Sequence, residues 1–255
     1  VAALPTALVA KTVSTTTAQK AAALIRTHNP VVIGITGSYG KSSTKLLLAH
    51  LLRSKSVYAT PKSYNTLLSI TRSVLSGYTG QEIAIIEYAA YMPGEIANIT
   101  KYIQPHTAVI TGFAPQHLGL FGSEENIIYS KAELVASLPN KAPVYVNAAS
   151  EGAKKIATLG SAQNNAQIQT VSWQDIFSKI DLTDEGYLTL TFKGKKITTR
   201  FVGKHYIEVI ALAWKVASQY VSADQLAEAV ADFEPSASFI TSYQLASETR
   251  VIDDG

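Results

Sequence analysis

Apolar positions along the chain fall into blocks of two kinds. "PVVIGIT" (30–36), "SVYAT" (56–60), "EIAIIEY" (82–88), "TAVITGF" (107–113) and "APVYVN" (142–147) are short runs with no polar alternation. Such runs predict strands covered on both faces, as in a parallel sheet. Around them apolar residues recur at helical spacing: residues 14–26, "KSSTKLLLAHLLRS" (41–54), "PGEIANITKYI" (93–103) and "SEENIIYSKAELVASL" (123–138). Pro93 is expected in the first turn of its helix. Ser123 is placed to cap the last one, with Glu124 and Glu125 where the helix dipole favours negative charge. Strands alternating with helices predict an α/β fold with a doubly wound, mostly parallel sheet.

Beyond residue 150 the pattern changes. "YLTLTFKGKKITTRFV" (187–202) reads as a β-hairpin subdomain turning at Lys193-Gly194-Lys195. Two helices follow, 205–220 and 222–233, the second capped by Ser222, then "EPSAS" (234–238) as a linker. "RVIDDG" (250–255) reads as a strand entering a loop. The expected division is a helical segment over 1–29, a central domain over 30–235, and a linker with the first strand of a further domain over 236–255. The chain opens on Val1 and is expected to be a piece of a longer polypeptide.

Composition narrows the chemistry. The 255 residues are 47% hydrophobic and 16% charged, with a net charge of +3. The lysines are scattered, which argues against nucleic acid and for a local basic pocket that takes a polyanionic small molecule. The absence of cysteine excludes disulfides, thiolate catalysis and cysteine-held metals. No apolar run reaches the ~18–20 residues of a membrane helix. The opening segment lacks a basic flank, so membrane association is expected only through a segment upstream of Val1.

The candidate chemistry starts at "GITGSYGKSST" (34–44). Its glycines let a strand turn tightly into a helix, so that main-chain N–H groups and the helix N-terminus face an anion. Lys41 is placed to reach phosphates and Ser42 to reach Mg²⁺. The strict Walker pattern has a glycine where this chain has Ile35, so the loop is a variant. The spacing also differs from the dinucleotide fingerprint. Ligands of open parallel sheets bind beyond the carboxyl ends of the strands, and Glu87 and His117 follow two other strands. Each alone is a weak signal; their shared rim with the glycine loop strengthens both. His28, His50 and His106 have no such placement, and no HExxH pair occurs, which speaks against a catalytic zinc.

These residues resemble the Mur ligase family. The resemblance rests on "GITGSYGKSST", "PKSYNT", "IIEYAAYMPGEI", "QHLGLFGSEENI", "SKAEL", "YVN", "VGKH" and "VIDDG", in the family's order, with "PGEI" and "FGSEEN" favouring its D-alanyl-D-alanine-adding branch. It implies an ATP-dependent, amide-forming ligase of peptidoglycan precursor synthesis that works through an acyl phosphate. It further implies ATP, Mg²⁺ at two sites and a carbamylated lysine. Thr36, Gly37, Ser38, Gly40, Lys41, Ser42 and Ser43 would form the nucleotide loop, and His205 would open the adenine-side helix. Ser42 and Glu87 would hold one metal, with His117 and the carbamate of Lys131 at the other. Asn65 and Thr66 would face the acceptor. The implied partners are a nucleotide and a muramoyl peptide, for a monomeric protein in the cytoplasm or at the inner face of the membrane.

The chain departs from the family pattern in several places. Tyr206 and Val209 stand where the family has adenine-side asparagines, and "EPSASF" lacks the family's arginine. The family carries a UDP-sugar-binding domain ahead of the glycine loop, where this sequence has about thirty residues, and its terminal ligase domain is expected to begin near "VIDDG". The 255 residues alone are therefore expected to bind ATP and Mg²⁺ but to ligate poorly. Two other readings stay open: a Mur-like nucleotide-holding scaffold, and a ligase with a different acceptor such as a folate tail.

Overall fold

The computed structural model describes residues 3–116, 118–235, 241–244 and 250–253, of which 3–13, 241–244 and 250–253 are described by backbone alone. Helix α1 (Ala3–His28) leads into β1 (Val31–Thr36), α2 (Lys41–Leu51), β2 (Val57–Ala59), α3 (Leu67–Gly77) and β3 (Ile83–Glu87). Then come α4 (Glu95–Thr100), β4 (Thr107–Ile110), the short α5 (Leu118–Phe121), α6 (Glu124–Ala136), β5 (Pro143–Asn147), α7 (Glu151–Ser161) and β6 (Gln167–Val171). Strands β1 to β6 form one six-stranded sheet in the order β2-β3-β1-β4-β5-β6, and all its pairings are parallel. Among the described residues no helix is long and apolar enough to cross a membrane.

Strand parity explains why the runs look uniformly apolar. Ile33 and Ile35 of β1, Ile83 and Ile85 of β3, and Val109 of β4 face one core, shared with α2 and α8 (Ile207–Ala217). Val32, Ala84, Ile86, Ala108 and Ile110 face the other, shared with α1, α3, α4, α6 and α7. Successive side chains point to opposite faces, and both faces are covered, so neither register needs polar residues. The same parity puts Glu87, two residues beyond Ile85, on the α2 side.

The second sheet is antiparallel, with β7 (Lys179–Leu182), β8 (Tyr187–Phe192) and β9 (Lys195–Val202) in that order. The expected hairpin is thus two of three strands; β7 is short, half polar and half exposed, which hides its periodicity. Lys193 takes a left-handed φ of 49° and Gly194 one of 78°, as a two-residue turn requires. Helix α9 (Ala223–Asp232) is capped by Ser222, whose Oγ accepts from the Gln225 N–H. Arg53 makes paired 2.7 Å contacts to Asp232, tying the end of α2 to α9, and His50 lies 2.8 Å from the same carboxylate. Strands β10 (Thr241–Gln244) and β11 (Arg250–Asp253) pair antiparallel.

Three expectations change in detail. The first helix is much longer than 14–26. Pro93 precedes α4, whose N-cap is Gly94 at φ 92°, because that left-handed residue turns the chain before the helix begins. Helices α3 and α7 and strand β6 were not anticipated. The linker at 236–238 lies outside the described residues.

Helix α6 is set by a close approach to α7. A Cβ on Gly160 would lie 2.5 Å from the Ala132 carbonyl oxygen and 2.5 Å from Val135 Cβ, so only glycine fits. Gly160→Ala is expected to lower stability by about 1–3 kcal/mol in urea unfolding; an unchanged midpoint would contradict the tight contact.

Candidate functional site

The glycine loop crosses from β1 to α2 and is laced to the segment that follows β4. The Ser38 N–H donates to the Gly112 carbonyl at 2.6 Å, the Thr111 hydroxyl to the Tyr39 carbonyl at 2.6 Å, and the Ser38 hydroxyl to the Ala114 carbonyl at 2.8 Å. A Cβ on Gly37 would fall 2.1 Å from Thr111 Oγ1, so the loop cannot lie here with a larger residue. Gly40, at φ 79°, is the N-cap of α2, and no side chain caps that end. The first turn, with Lys41, Ser42 and Ser43, therefore points main-chain donors out of the sheet edge.

Among the described residues, the buried charged side chains are Lys45, Glu87 and Lys131, and all three meet at this loop. Glu87 accepts from the Ser42 hydroxyl at 2.9 Å, from Lys45 Nζ at 3.1 Å and from Asn65 Nδ2 at 3.1 Å. Lys131 donates to the Gly37 carbonyl at 3.0 Å. Lys41 donates to the same oxygen at 3.0 Å and to the Ser38 carbonyl at 3.2 Å. Two ammonium groups on one carbonyl make a strongly positive pocket. Burial lowers the Lys41 pKa, with Glu87 partly opposing. Burial, reinforced by the neighbouring Lys41 charge, lowers Lys131 to about 8. Buried charges are costly unless the fold or a ligand uses them, and perturbed groups in a cleft mark functional sites.

Lys41, Asn65, Gln116, Phe121 and Lys131 line a cleft of about 80 Å³ with Gly37. Thr66 caps α3 and lines an adjoining hollow with Ala89 and Glu95. Thr36 is fully buried beneath the loop. Its hydroxyl has no partner, while its carbonyl accepts from the Thr111 N–H at 3.0 Å. His205 is exposed, its ring centroid 4.1 Å from that of Tyr206, and it does not line the small cleft. The expectation for His117 lies outside the described residues. A larger cleft, about 480 Å³, includes Arg26, Lys101 and His106 at the opposite ends of the strands. It contains none of the loop residues, so the chemistry and not the size identifies the site.

The donor set fits a magnesium nucleotide. A serine hydroxyl and a carboxylate lie in contact at the foot of a loop of main-chain donors, and hard oxygen ligands suit Mg²⁺. Among the described residues no group of three or more histidine, cysteine, aspartate or glutamate side chains gathers. Such a metal would take its other ligands from phosphate and water, as Mg²⁺ does. Lys45 was missed in the sequence. It sits directly before the apolar run Leu46–Leu48, one helical turn after Lys41, and nothing else in the sequence marks it.

Residues 35–217 match the Mur ligase middle domain family. A curated relative from Mycobacterium bovis, UDP-N-acetylmuramoyl-tripeptide–D-alanyl-D-alanine ligase, is 38% identical over 133 residues, covering 52% of this chain and 26% of the relative. Among solved structures, MurF from Acinetobacter baumannii has a TM-score of 0.79 at 24% identity, covering 94% of this chain and 54% of that one. MurF ligase from Thermotoga maritima in complex with ADP has a TM-score of 0.75 at 22% identity, covering 94% and 56%. At these identities the structural likeness establishes the fold. The chain spans about a quarter of the length of that curated relative and just over half of the solved chains.

The Lys131 environment has a pH signature. Its pKa of about 8 lies below the ordinary 10.5, so the unfolded chain binds the proton more tightly. The cost of the buried ammonium is complete below pH 8 and is relieved as pH rises toward 10.5. In CO₂-free buffer the wild type is expected to gain about 1–3 kcal/mol between pH 8 and 10 relative to Lys131→Met. Parallel stability curves for the two proteins would contradict this.

Proposed function

The chain belongs to the Mur ligase family, and on that premise we propose that it is the nucleotide-binding central part, residues 30–235, of an ATP-dependent amide ligase. Residues 1–29 would lead into it, and 236–255 would lead into the next domain. The reading is that the whole protein adds D-alanyl-D-alanine to a muramoyl peptide. The observation that carries it is the gathering of Lys45, Glu87 and Lys131 beneath the glycine loop.

In this reading Thr36, Gly37, Ser38, Gly40 and Ser43 shape the loop that holds the phosphates, with Lys41 unfolding from the Gly37 and Ser38 carbonyls to lie along them. Ser42 and Glu87 would hold one Mg²⁺. His117 and a carbamate on Lys131 would serve a second. Bound magnesium would neutralise charge on the transferring phosphoryl group. Asn65 and Thr66 flank the entry of the acceptor, and His205 opens the helix on the base side. The acceptor carboxylate attacks the γ-phosphorus as the bond to ADP breaks. The donor amine then attacks the acyl carbon, and phosphate leaves as the amide forms. The loop and lysines align the anions and offset their repulsion. The lowered Lys131 pKa supports carbamylation, because only the neutral amine reacts with CO₂.

The test uses the full-length parent with ATP, D-alanyl-D-alanine and muramoyl tripeptides. Phosphate release matched by amide, and dependent on all three, is expected; Lys41→Ala should lower kcat/KM by about 10²–10³-fold. ATP hydrolysis with no amide would contradict the ligase. A native mass spectrum under raised CO₂ should gain the mass of one CO₂ in the wild type and not in Lys131→Ala; no gain in either contradicts the carbamate. A second reading, a nucleotide-holding scaffold, is favoured by the base side. There Tyr206 is buried against Phe201, with ring centroids 5.2 Å apart, and Val209 lies 3.7 Å from where a Gly40 Cβ would be. Mg·ADP binding without any phosphate release would favour the scaffold.

A further inference from the structure

Lys45 is the least expected member of the cluster. It is fully buried on the turn of α2 after Lys41 and Ser42. Its ammonium meets two acceptors: the Glu87 carboxylate at 3.1 Å and the main-chain carbonyl of Lys62. Lys62 takes a left-handed φ of 49° in the exposed loop between β2 and α3, the loop that carries Asn65 and Thr66. Asn65 returns to the other oxygen of Glu87 at 3.1 Å, and its own carbonyl accepts from the Ala89 N–H at 3.2 Å. One ammonium thus joins the phosphate-loop helix, the end of β3 and the 60–66 loop.

We propose that Lys45 is a positioning residue that fixes the 60–66 loop and the Glu87 carboxylate as one unit against the glycine loop. It lies outside the cleft and acts through the groups it holds. The charge suits the task. A neutral donor could bond to the Lys62 carbonyl, but an unpaired carboxylate as buried as Glu87 would be left without a counter-charge. The loop half of the proposal stands on geometry alone, whereas its consequence for metal nucleotide rests on the function proposed above.

Two readouts on the full-length protein test it, using Lys45→Met and the charge-balanced double variant Lys45→Met/Glu87→Gln. The first is trypsin nicking of the Lys62–Ser63 bond, followed by mass spectrometry, with the exposed Lys193–Lys195 turn as internal reference. Nicking tracks local opening, so both variants should be cut at Lys62 at least about 10-fold faster than wild type while the reference sites keep their rate. The second is calorimetric binding of Mg·ADP, which should weaken by about 10–100-fold in Lys45→Met, as when groups supporting a metal ligand are removed. If Lys45→Met does not fold, the double variant decides through the trypsin readout. Unchanged nicking at Lys62, or equal acceleration at every site, overturns the proposal. If wild type takes up no Mg·ADP, the nucleotide reading fails while the nicking comparison still decides the role of Lys45.

Discussion

A carboxylate buried at the end of a central strand has to be answered by positive charge and by donors, and much of this site follows from that constraint. Glu87 continues the side of β3 that Ile83 and Ile85 present to α2. Because the sheet is covered on both faces, the carboxylate cannot turn to water. It is met by the Ser42 hydroxyl and the Lys45 ammonium, both from α2, and by the Asn65 carboxamide from the 60–66 loop. Replacing such a pair with apolar side chains commonly leaves a fold as stable or more so, so stability alone does not account for it. The proposed role, holding a divalent cation beside a polyanion, would account for it.

The positive side of the pocket obeys the same logic. Lys41 and Lys131 both turn to the Gly37 carbonyl; burial lowers the proton affinity of each, and the Lys41 charge lowers that of Lys131 further. On its other side helix α6 packs closely on α7, where Gly160 leaves no side chain between them.

Much of this was legible in the residues. The β-branched runs marked the five strands nearest the chemistry, and their carboxyl ends pointed to the glycine loop and to Glu87. Ser123 and Ser222 announced their helices as caps. What escaped had weak local signals. β6 and β7 are short and half exposed, and α3 and α7 carry serines, threonines and glycines that read equally well as loop. The first helix extends well before Ser14, and the run Ser14-Thr15-Thr16-Thr17 inside it has the residue types of a helix cap. Lys45 escaped for a different reason: a lysine in an apolar helix reads as a solvent-facing stem, and only the partner across the sheet shows that its charge is buried. Lys131 became a candidate through the family resemblance, and its burial supplied the physical reason.

The account as a whole is tested most directly by crystals of the protein grown with ADP and Mn²⁺, the manganese standing in for Mg²⁺ and located by its anomalous scattering. The account predicts a manganese peak within bonding distance of Ser42 Oγ or the Glu87 carboxylate, with the diphosphate against the main chain of residues 37–43. Manganese and nucleotide in the large cleft beside Arg26 and His106, with the glycine loop unvisited, would contradict it.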